Sequence, residues 1–569
     1  MSRNQMTRAP GRLTQAISAF EKTLRVPNLR RAQLSFGAAW AGSWAVTVAV
    51  GILAYDNGGA AAVGIVGVVR MLPAALLAPV AAVVVDRYRR ERVLVAVGLV
   101  RGAALGGAAL VVWLLPSRLP AYALVAVDML AFTLYRPAHS ALLPSISTTA
   151  TDLTSANVVR GLLDSSSALL GPLLAGVLVG PIGIDGVFAV CAATAFWSAW
   201  LIARVDYEAP PRLVEAVRAH AVREAIEGVA IIGRNPEVRL LTIVGCLQTF
   251  TRGCFAVFSV VVALQLLGLP NSGVGLLTAG FGAGAVLGSL AVSLLVRSSG
   301  FGRWLAVGIA GWGIPFIALA ATSSEVAAIS LLAVVGVANA IVDVSYFTLL
   351  QWLVPDELMG RVFASDESLL TLSIAAGSIA APGLIALFGI RGALIAAGLL
   401  TPLGTLLALS RLRALDARMR TAGDAVAFLQ RVAMLAPLPL ATITQLVAGA
   451  SNERALPGTL VIQEGTTGDD FYVIADGRAE VLVDGVSVRY LGRADCFGEI
   501  AALTGRRRTA TVRANTELRL LRFQRPQFMR AVTGYTPSDT AASTLLQERL
   551  AHAASSAVVG EAAVPPARD

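Results

Sequence analysis

Charge is what this sequence has least of. Only 14% of its 569 residues are Asp, Glu, Lys or Arg, while 56% are hydrophobic and the mean hydropathy is +0.70. A soluble domain carries about a quarter charged residues, so most of this chain takes lipid as its solvent. Histidine is nearly missing: His139, His220 and His552 are the only three, which argues against a buried zinc site. The four cysteines, Cys191, Cys246, Cys254 and Cys496, show no metal-ligand spacing, and three lie in apolar runs, so packing is their expected role. No Ser-His-Asp arrangement, phosphate loop or carboxylate pair spaced for hydrolysis appears, so the chain is read as no enzyme and as needing no cofactor. Lys22 is the one lysine, and the Ala, Arg and Gly bias points to a GC-rich bacterial genome.

The formal charge is nonetheless +10, from 46 Lys+Arg against 36 Asp+Glu. On a soluble chain this raises nucleic acid as a partner. Here the tendency of basic residues to gather in cytoplasmic loops accounts for it, and no nucleic acid is expected. Residues 1–32, with Arg3, Arg8, Arg12, Lys22, Arg25, Arg30 and Arg31, read as a cytoplasmic lead-in and not as a signal peptide.

A helix needs about 20 apolar residues to cross the hydrocarbon core. Candidate spans lie at 34–54, 60–84, 93–115, 120–142, 156–180 and 183–204, then at 240–267, 272–296, 303–321, 325–350, 363–388 and 390–410. Between the sets lies a charged loop, 206–239. The expected architecture is all-α, with twelve membrane helices in two six-helix bundles, 33–205 and 240–411. The 54 glycines fit it, because small residues let membrane helices approach closely. Arg87, Arg89, Arg90 and Arg92 after the second span, the basic central loop, and Arg411, Arg413, Arg418 and Arg420 after the twelfth put both termini in the cytoplasm of a bacterial inner membrane. A weak repeat relates the halves at an offset of about 210 residues: the turn GIDGVF from Gly183 answers FGIRGAL from Phe388.

The membrane region, roughly residues 30–412, resembles the major facilitator superfamily, particularly its bacterial exporter-like branch. The segment Ala82 to Arg90 keeps the family's Asp-Arg core and basic tail, with Ala82 and Arg89 standing where glycines are expected. Gly171-Pro172 followed by Gly176 is similar to the exporters' helix-five pattern. The resemblance implies a cytoplasmic gate at Asp86, Arg87 and Arg90. It also implies secondary transport driven by an ion gradient, most simply protons. Charges at membrane depth are costly and usually face the bundle interior. Arg70, Asp128, Arg136, Asp164, Arg252 and Asp343 are therefore the candidates for the transport cavity. Asp128 and Arg136, eight residues apart on roughly one helical side, either pair or both line the path.

Past Leu412 the pattern changes. A linker covers 412–436 and a short helix 437–449. The hydrophobic period then drops to two, with strands at 459–463, 470–475, 479–483, 486–491, 510–514 and 518–523. Helices return near 525–532 and 540–552. This soluble β-roll flanked by helices, 437–552, is followed by a tail at 553–569 expected to be disordered. The segment resembles the cyclic-nucleotide-binding domain family through Ile462 to Gly465, Phe471 to Ile474, Gly477 and above all FGEIAALTGRRRTA from Phe497 to Ala510. The resemblance implies a ligand site at Phe497, Gly498, Glu499, Ile500, Ala501, Arg508 and Thr509. In it Glu499 accepts from the ribose 2′-hydroxyl and Arg508 pairs with the cyclic phosphate, for which its two-pronged donor set is suited. Ala494 stands where the family often has Gly. The regulatory ligand is read as cAMP, with cGMP open.

The expected function is a secondary transporter, an exporter of a small amphiphilic or hydrophobic molecule, regulated by cytoplasmic cyclic nucleotide. Its partners are membrane lipid, the nucleotide and an unidentified substrate, with the C-terminal domain as a candidate dimer surface. A non-transporting membrane sensor, a lipid translocator and a nucleotide-gated channel are the alternatives.

Overall fold

The computed structural model describes residues 23–533 apart from 24, 148, 207–220, 296–299, 355, 433, 439–441, 444–445 and 448. The side chains of some helical residues, 74–87 among them, also lie outside the description. The chain divides into two units, Met1–Arg413 and Ala414–Asp569.

The first unit is helical. Its elements are α1 (Pro27–Arg87), α2 (Arg90–Leu114), α3 (Leu119–Thr133), α4 (Tyr135–Ile146), α5 (Ala150–Ala203), α6 (Ala221–Arg234), α7 (Pro236–Val261), α8 (Asn271–Leu295), α9 (Phe301–Ala321), α10 (Glu325–Leu353) and α11 (Asp356–Leu429), whose end from Ala414 belongs to the second unit. Among the described residues nine helices are long and apolar enough to cross a membrane, α3 and α4 together forming one of them. Helices suit lipid because they satisfy every backbone group internally. Large apolar side chains such as Trp113, Leu387 and Leu407 face outward, which water would penalise and hydrocarbon does not.

Three of these helices contain a break. Gly59 in α1, Gly183 in α5 and Gly389 in α11 have φ of 60°, 71° and 65°, a region that side chains disfavour. Gly183 and Gly389 are the corresponding glycines of the two repeat turns. Close packing also depends on glycine. A Cβ on Gly275 of α8 would lie 2.5 Å from both the Cα of Gly176 and the carbonyl oxygen of Pro172 in α5. One on Gly282 would lie 2.2 Å from the Ala168 carbonyl oxygen, so α5 and α8 of the two halves approach closely along Ala168–Gly176.

The stretch 206–239 is not all loop. Residues 221–234 form α6, and α7 begins at Pro236 because the Asn235 side chain accepts from the amides of Glu237 and Val238 at 3.0 and 3.2 Å.

The second unit carries two antiparallel four-stranded sheets. One has the order β1 (Ser451–Ala455), β8 (Leu518–Phe523), β3 (Phe471–Asp476), β6 (Cys496–Phe497). The other runs β2 (Leu460–Ile462), β7 (Thr511–Ala514), β4 (Ala479–Val483), β5 (Val486–Leu491). Between β6 and β7 lies α12 (Glu499–Thr504), and α13 (Arg525–Thr533) follows β8. Ala455, Ile474, Leu491, Phe497 and Val512 fill the space between the sheets. Phe471 stacks on Phe528 of α13 at 4.3 Å and fixes that helix to the first sheet. Strands β1 and β6 go beyond the sequence expectation: SNERA is polar and alternates no hydrophobic face, and β6 has only two residues. The helix expected at 540–552 and the tail lie outside the described residues.

Candidate functional site

In the β-roll the site is built around one turn. Gly498 ends β6 at φ 83°, turns the chain into α12, and leaves no room for a side chain: a Cβ there would lie 2.5 Å from Nη1 of Arg508 and 2.8 Å from the Asp470 carbonyl oxygen. Arg508 is 5% exposed. Its Nη1 donates to the Gly498 carbonyl at 2.9 Å and its Nη2 to the Asp470 carbonyl at 2.8 Å. Its own backbone is held by Thr466 and Gly465, both at 2.9 Å. Burial lowers the pKa of Arg508, against the pull of Tyr472, Asp470, Asp469 and Glu499. A guanidinium keeps its charge in proteins, so the site holds a fixed cation. Glu499 is buried at the first position of α12.

Phe497, Gly498, Glu499, Ile500, Ala501, Arg508 and Thr509 all line one cavity of about 710 Å³. That is within the range of roughly 300–1,000 Å³ typical for small-molecule sites. Its opposite wall is apolar, with Val481, Leu491 and Val512 from the second sheet. Arg431 and Arg493 add two further cations. Neither is in the recurring pattern, and their only sequence signal is a basic side chain among many. Ala494, also in the wall, adopts φ 71°, the conformation that a glycine takes freely. Asp470, whose carbonyl receives Arg508, is itself braced by Arg522 at 2.7 Å.

Among the helices, a second cavity of about 220 Å³ is lined by Arg70, Arg252, Trp40, Trp44 and Phe132, among others. Of the six charges expected at membrane depth, these two arginines line it. Asp128 instead pairs with Arg101 of α2 at 2.7 Å, both nearly fully buried, and Arg101 also lies 4.2 Å over the Phe132 ring. Arg136 reaches Asp164 of α5 at 3.4 Å. The sequence option of a pair between Asp128 and Arg136 is not realised: eight residues of helix put them about 12 Å apart along the axis, and each finds its partner on another helix. Asp343 accepts from Asn339 at 2.9 Å. The side chains of Asp86 and Arg87 lie outside the described residues. Arg90 donates to the Ala141 carbonyl and the Ser145 hydroxyl at 2.9 and 2.8 Å, so it ties the start of α2 to the end of α4.

Two polar centres escape the sequence reading. Arg101 sits within an apolar run, where its charge alone is a signal. Asp366, next to Glu367, is buried and accepts from Tyr346 at 2.7 and 2.8 Å and from Thr242 at 2.7 Å. No group of three or more His, Cys, Asp or Glu side chains able to hold a metal ion occurs among the described residues.

Comparison with known proteins agrees with this division. The family model for the Major Facilitator Superfamily matches residues 34–262, and that for the cyclic nucleotide-binding domain matches residues 453–535. An uncharacterized MFS-type transporter of Bacillus subtilis, YfiS, is 26% identical over 358 residues, which is 60% of this chain and 84% of the relative. The cAMP-dependent protein kinase regulatory subunit of Emericella nidulans is 35% identical over 106 residues, 18% of this chain. That of Schizosaccharomyces pombe is 45% identical over 74 residues, 13% of this chain. The chain spans only 26% and 18% of these two subunits. Among solved structures, the regulatory domain of Toxoplasma gondii PKA with cAMP matches 24% of this chain and 52% of its own at 22% identity, with a TM-score of 0.21. The chain therefore joins a region similar to the transporters of the Major Facilitator Superfamily to one similar to cyclic nucleotide-binding domains.

Proposed function

We propose that the chain is a secondary transporter that exports a small amphiphilic molecule across a bacterial inner membrane, and that cytoplasmic cAMP sets its activity. The observation that carries the regulatory half is the cavity of the β-roll. It gathers the seven expected site residues, with the Arg508 cation and the Glu499 carboxylate both buried on its wall. A cyclic phosphate offers Arg508 a charged acceptor better than the two carbonyls it now holds. A ribose hydroxyl offers Glu499 a donor, and the valine wall suits a purine. The likeness to kinase subunits whose names carry cAMP supports that nucleotide over cGMP.

The transporter half rests on the family match and on the helices. The breaks at Gly59, Gly183 and Gly389 leave about 20 residues or more on each side, enough for a crossing apiece. The nine long helices then make twelve crossings in two bundles of six. An even count with basic turns at 87–92 and 411–420 puts both ends in the cytoplasm, where cyclic nucleotides are made. In this reading Asp86, Arg87 and Arg90 form the cytoplasmic gate. Asp164 and Asp343 are candidates for carrying a coupled proton. Regulation requires that the nucleotide bind one transporter state more tightly than the other.

The test is equilibrium binding of radiolabelled cAMP and cGMP to the purified full-length protein, with Arg508→Ala alongside. Saturable cAMP binding, weaker for cGMP and lost in the variant, is the expected result. A folded wild-type protein that binds neither nucleotide would sink the regulatory reading.

A further inference from the structure

The cavity among the helices has an unusual charge balance. Among the described residues its lining holds two guanidinium groups, Arg70 and Arg252, and no carboxylate. Arg70 is 5% exposed, and its Nη2 donates to the Thr47 hydroxyl at 3.2 Å. Its Nε has no hydrogen-bond partner among the described residues. Among the described residues the charges that act on Arg70 are Asp128 and Arg101. Those two already neutralise one another at 2.7 Å. The group of three thus keeps one net positive charge in a region from which water is largely excluded. Arg252 lies within electrostatic reach of Asp343, which does not line the cavity. A buried cation without its counter-ion is costly, and in structures such a cation is met by an anion.

The rest of the wall is aromatic and apolar, with Trp40, Trp44, Phe132, Phe255 and Phe281 prominent. Flat aromatic faces favour flat apolar ligands, offset-stacked or edge-on. The volume, about 220 Å³, falls below the roughly 300 Å³ where drug-sized sites begin.

Resting on the transporter reading, we infer that this cavity is the substrate site and that its ligand is a small organic anion, an aromatic or amphipathic carboxylate or sulfonate. The acid group meets Arg70, the Thr47 hydroxyl stands beside it, and the apolar body lies among the tryptophans and phenylalanines. Arg70 supplies the fixed charge, while Arg252, shared with Asp343, contributes less.

Three probes with one ring system separate charge from shape: 1-naphthoate, 1-naphthalenemethanol and 1-naphthylmethylammonium. Each is dialysed to equilibrium against the full-length protein in phosphatidylcholine nanodiscs, with excess cAMP present to occupy the β-roll. Naphthoate should bind saturably and at least about tenfold more tightly than the neutral or cationic probe. Arg70→Gln should weaken naphthoate by about 10- to 100-fold, the loss of one charge-assisted contact, and leave the neutral probe unchanged. Arg70→Lys should keep most of the binding.

Equal binding of naphthoate and the ammonium probe would overturn the inference. So would the absence of saturable naphthoate binding, or an unaltered affinity in folded Arg70→Gln. If Arg70→Gln does not fold, the three-probe comparison on the wild type and Arg252→Gln, expected to weaken naphthoate more modestly, decide the matter. Naphthoate that binds but never crosses a proteoliposome membrane would support the anion site and contradict only the transport reading.

Discussion

Gly498→Ala adds one carbon at the most constrained point of the nucleotide site, and its cost can be worked out. At φ 83° a side chain costs about 1–2 kcal/mol over glycine. The new Cβ would sit 2.5 Å from Nη1 of Arg508, inside contact distance, so the guanidinium must move and give up its 2.9 Å bond to the Gly498 carbonyl. A hydrogen bond to a charged group contributes about 1.5–3 kcal/mol. Together the domain should lose about 2.5–5 kcal/mol. The displaced Arg508 should also lose one charge-assisted contact to a cyclic phosphate, which raises Kd for cAMP by about 10- to 150-fold. Binding of a fluorescent cAMP analogue and thermal unfolding of the full-length protein read the two effects. Gly492→Ala is the control, since nothing lies within 4 Å of a Cβ there and its φ is unstrained; it should match the wild type. A Gly498→Ala protein that binds the analogue as tightly as the wild type would refute the claim that Arg508, held at this turn, anchors the ligand.

Other expectations follow from the same contacts. Ala494→Gly should stabilise the β-roll by about 0.5–1 kcal/mol, because strain at φ 71° outweighs the entropy of an added glycine; unfolding scans would show it. Asp128→Ala should destabilise the helical unit by about 3–5 kcal/mol, as it leaves Arg101 buried without its counter-charge, and the loss should appear as a lower melting temperature in detergent. The Glu480 carboxylate is held below its usual pKa by hydrogen bonds from Ser487 and from Arg513, the latter at 2.6 Å. With the folded pKa below the unfolded one, its support is present above about pH 4.5 and is lost as pH falls through the folded value. Glu480→Gln should flatten the acid side of a stability–pH curve.

That Phe497 to Ala501, Arg508 and Thr509 share one cavity was legible because the grouping is local in sequence: thirteen positions bring the turn, the helix and the arginine together. The turns at Gly183 and Gly389 were legible as halves of a repeat, and the structure puts the same left-handed glycine in both. What the sequence could not show are contacts between distant helices. Asp128 finds Arg101 on α2, and Asp366 finds Thr242 on α7, across 27 and 124 residues. Helical spacing ranks only neighbours on one helix, so it offered Arg136 as the partner of Asp128. Eight residues of helix span about 12 Å, too far for that pair to meet. β1 was hidden for another reason: it is an exposed edge paired with β8 through its backbone, and its polar side chains carry no alternation.

The central claim is that a nucleotide held in the β-roll changes the state of the membrane helices. Hydrogen–deuterium exchange on the full-length protein in nanodiscs, with and without cAMP, tests it most directly. The account predicts slower exchange at 497–510 together with altered exchange in helical peptides before residue 414, both abolished by Arg508→Ala. Protection confined to the β-roll, with every helical peptide unchanged, would contradict it.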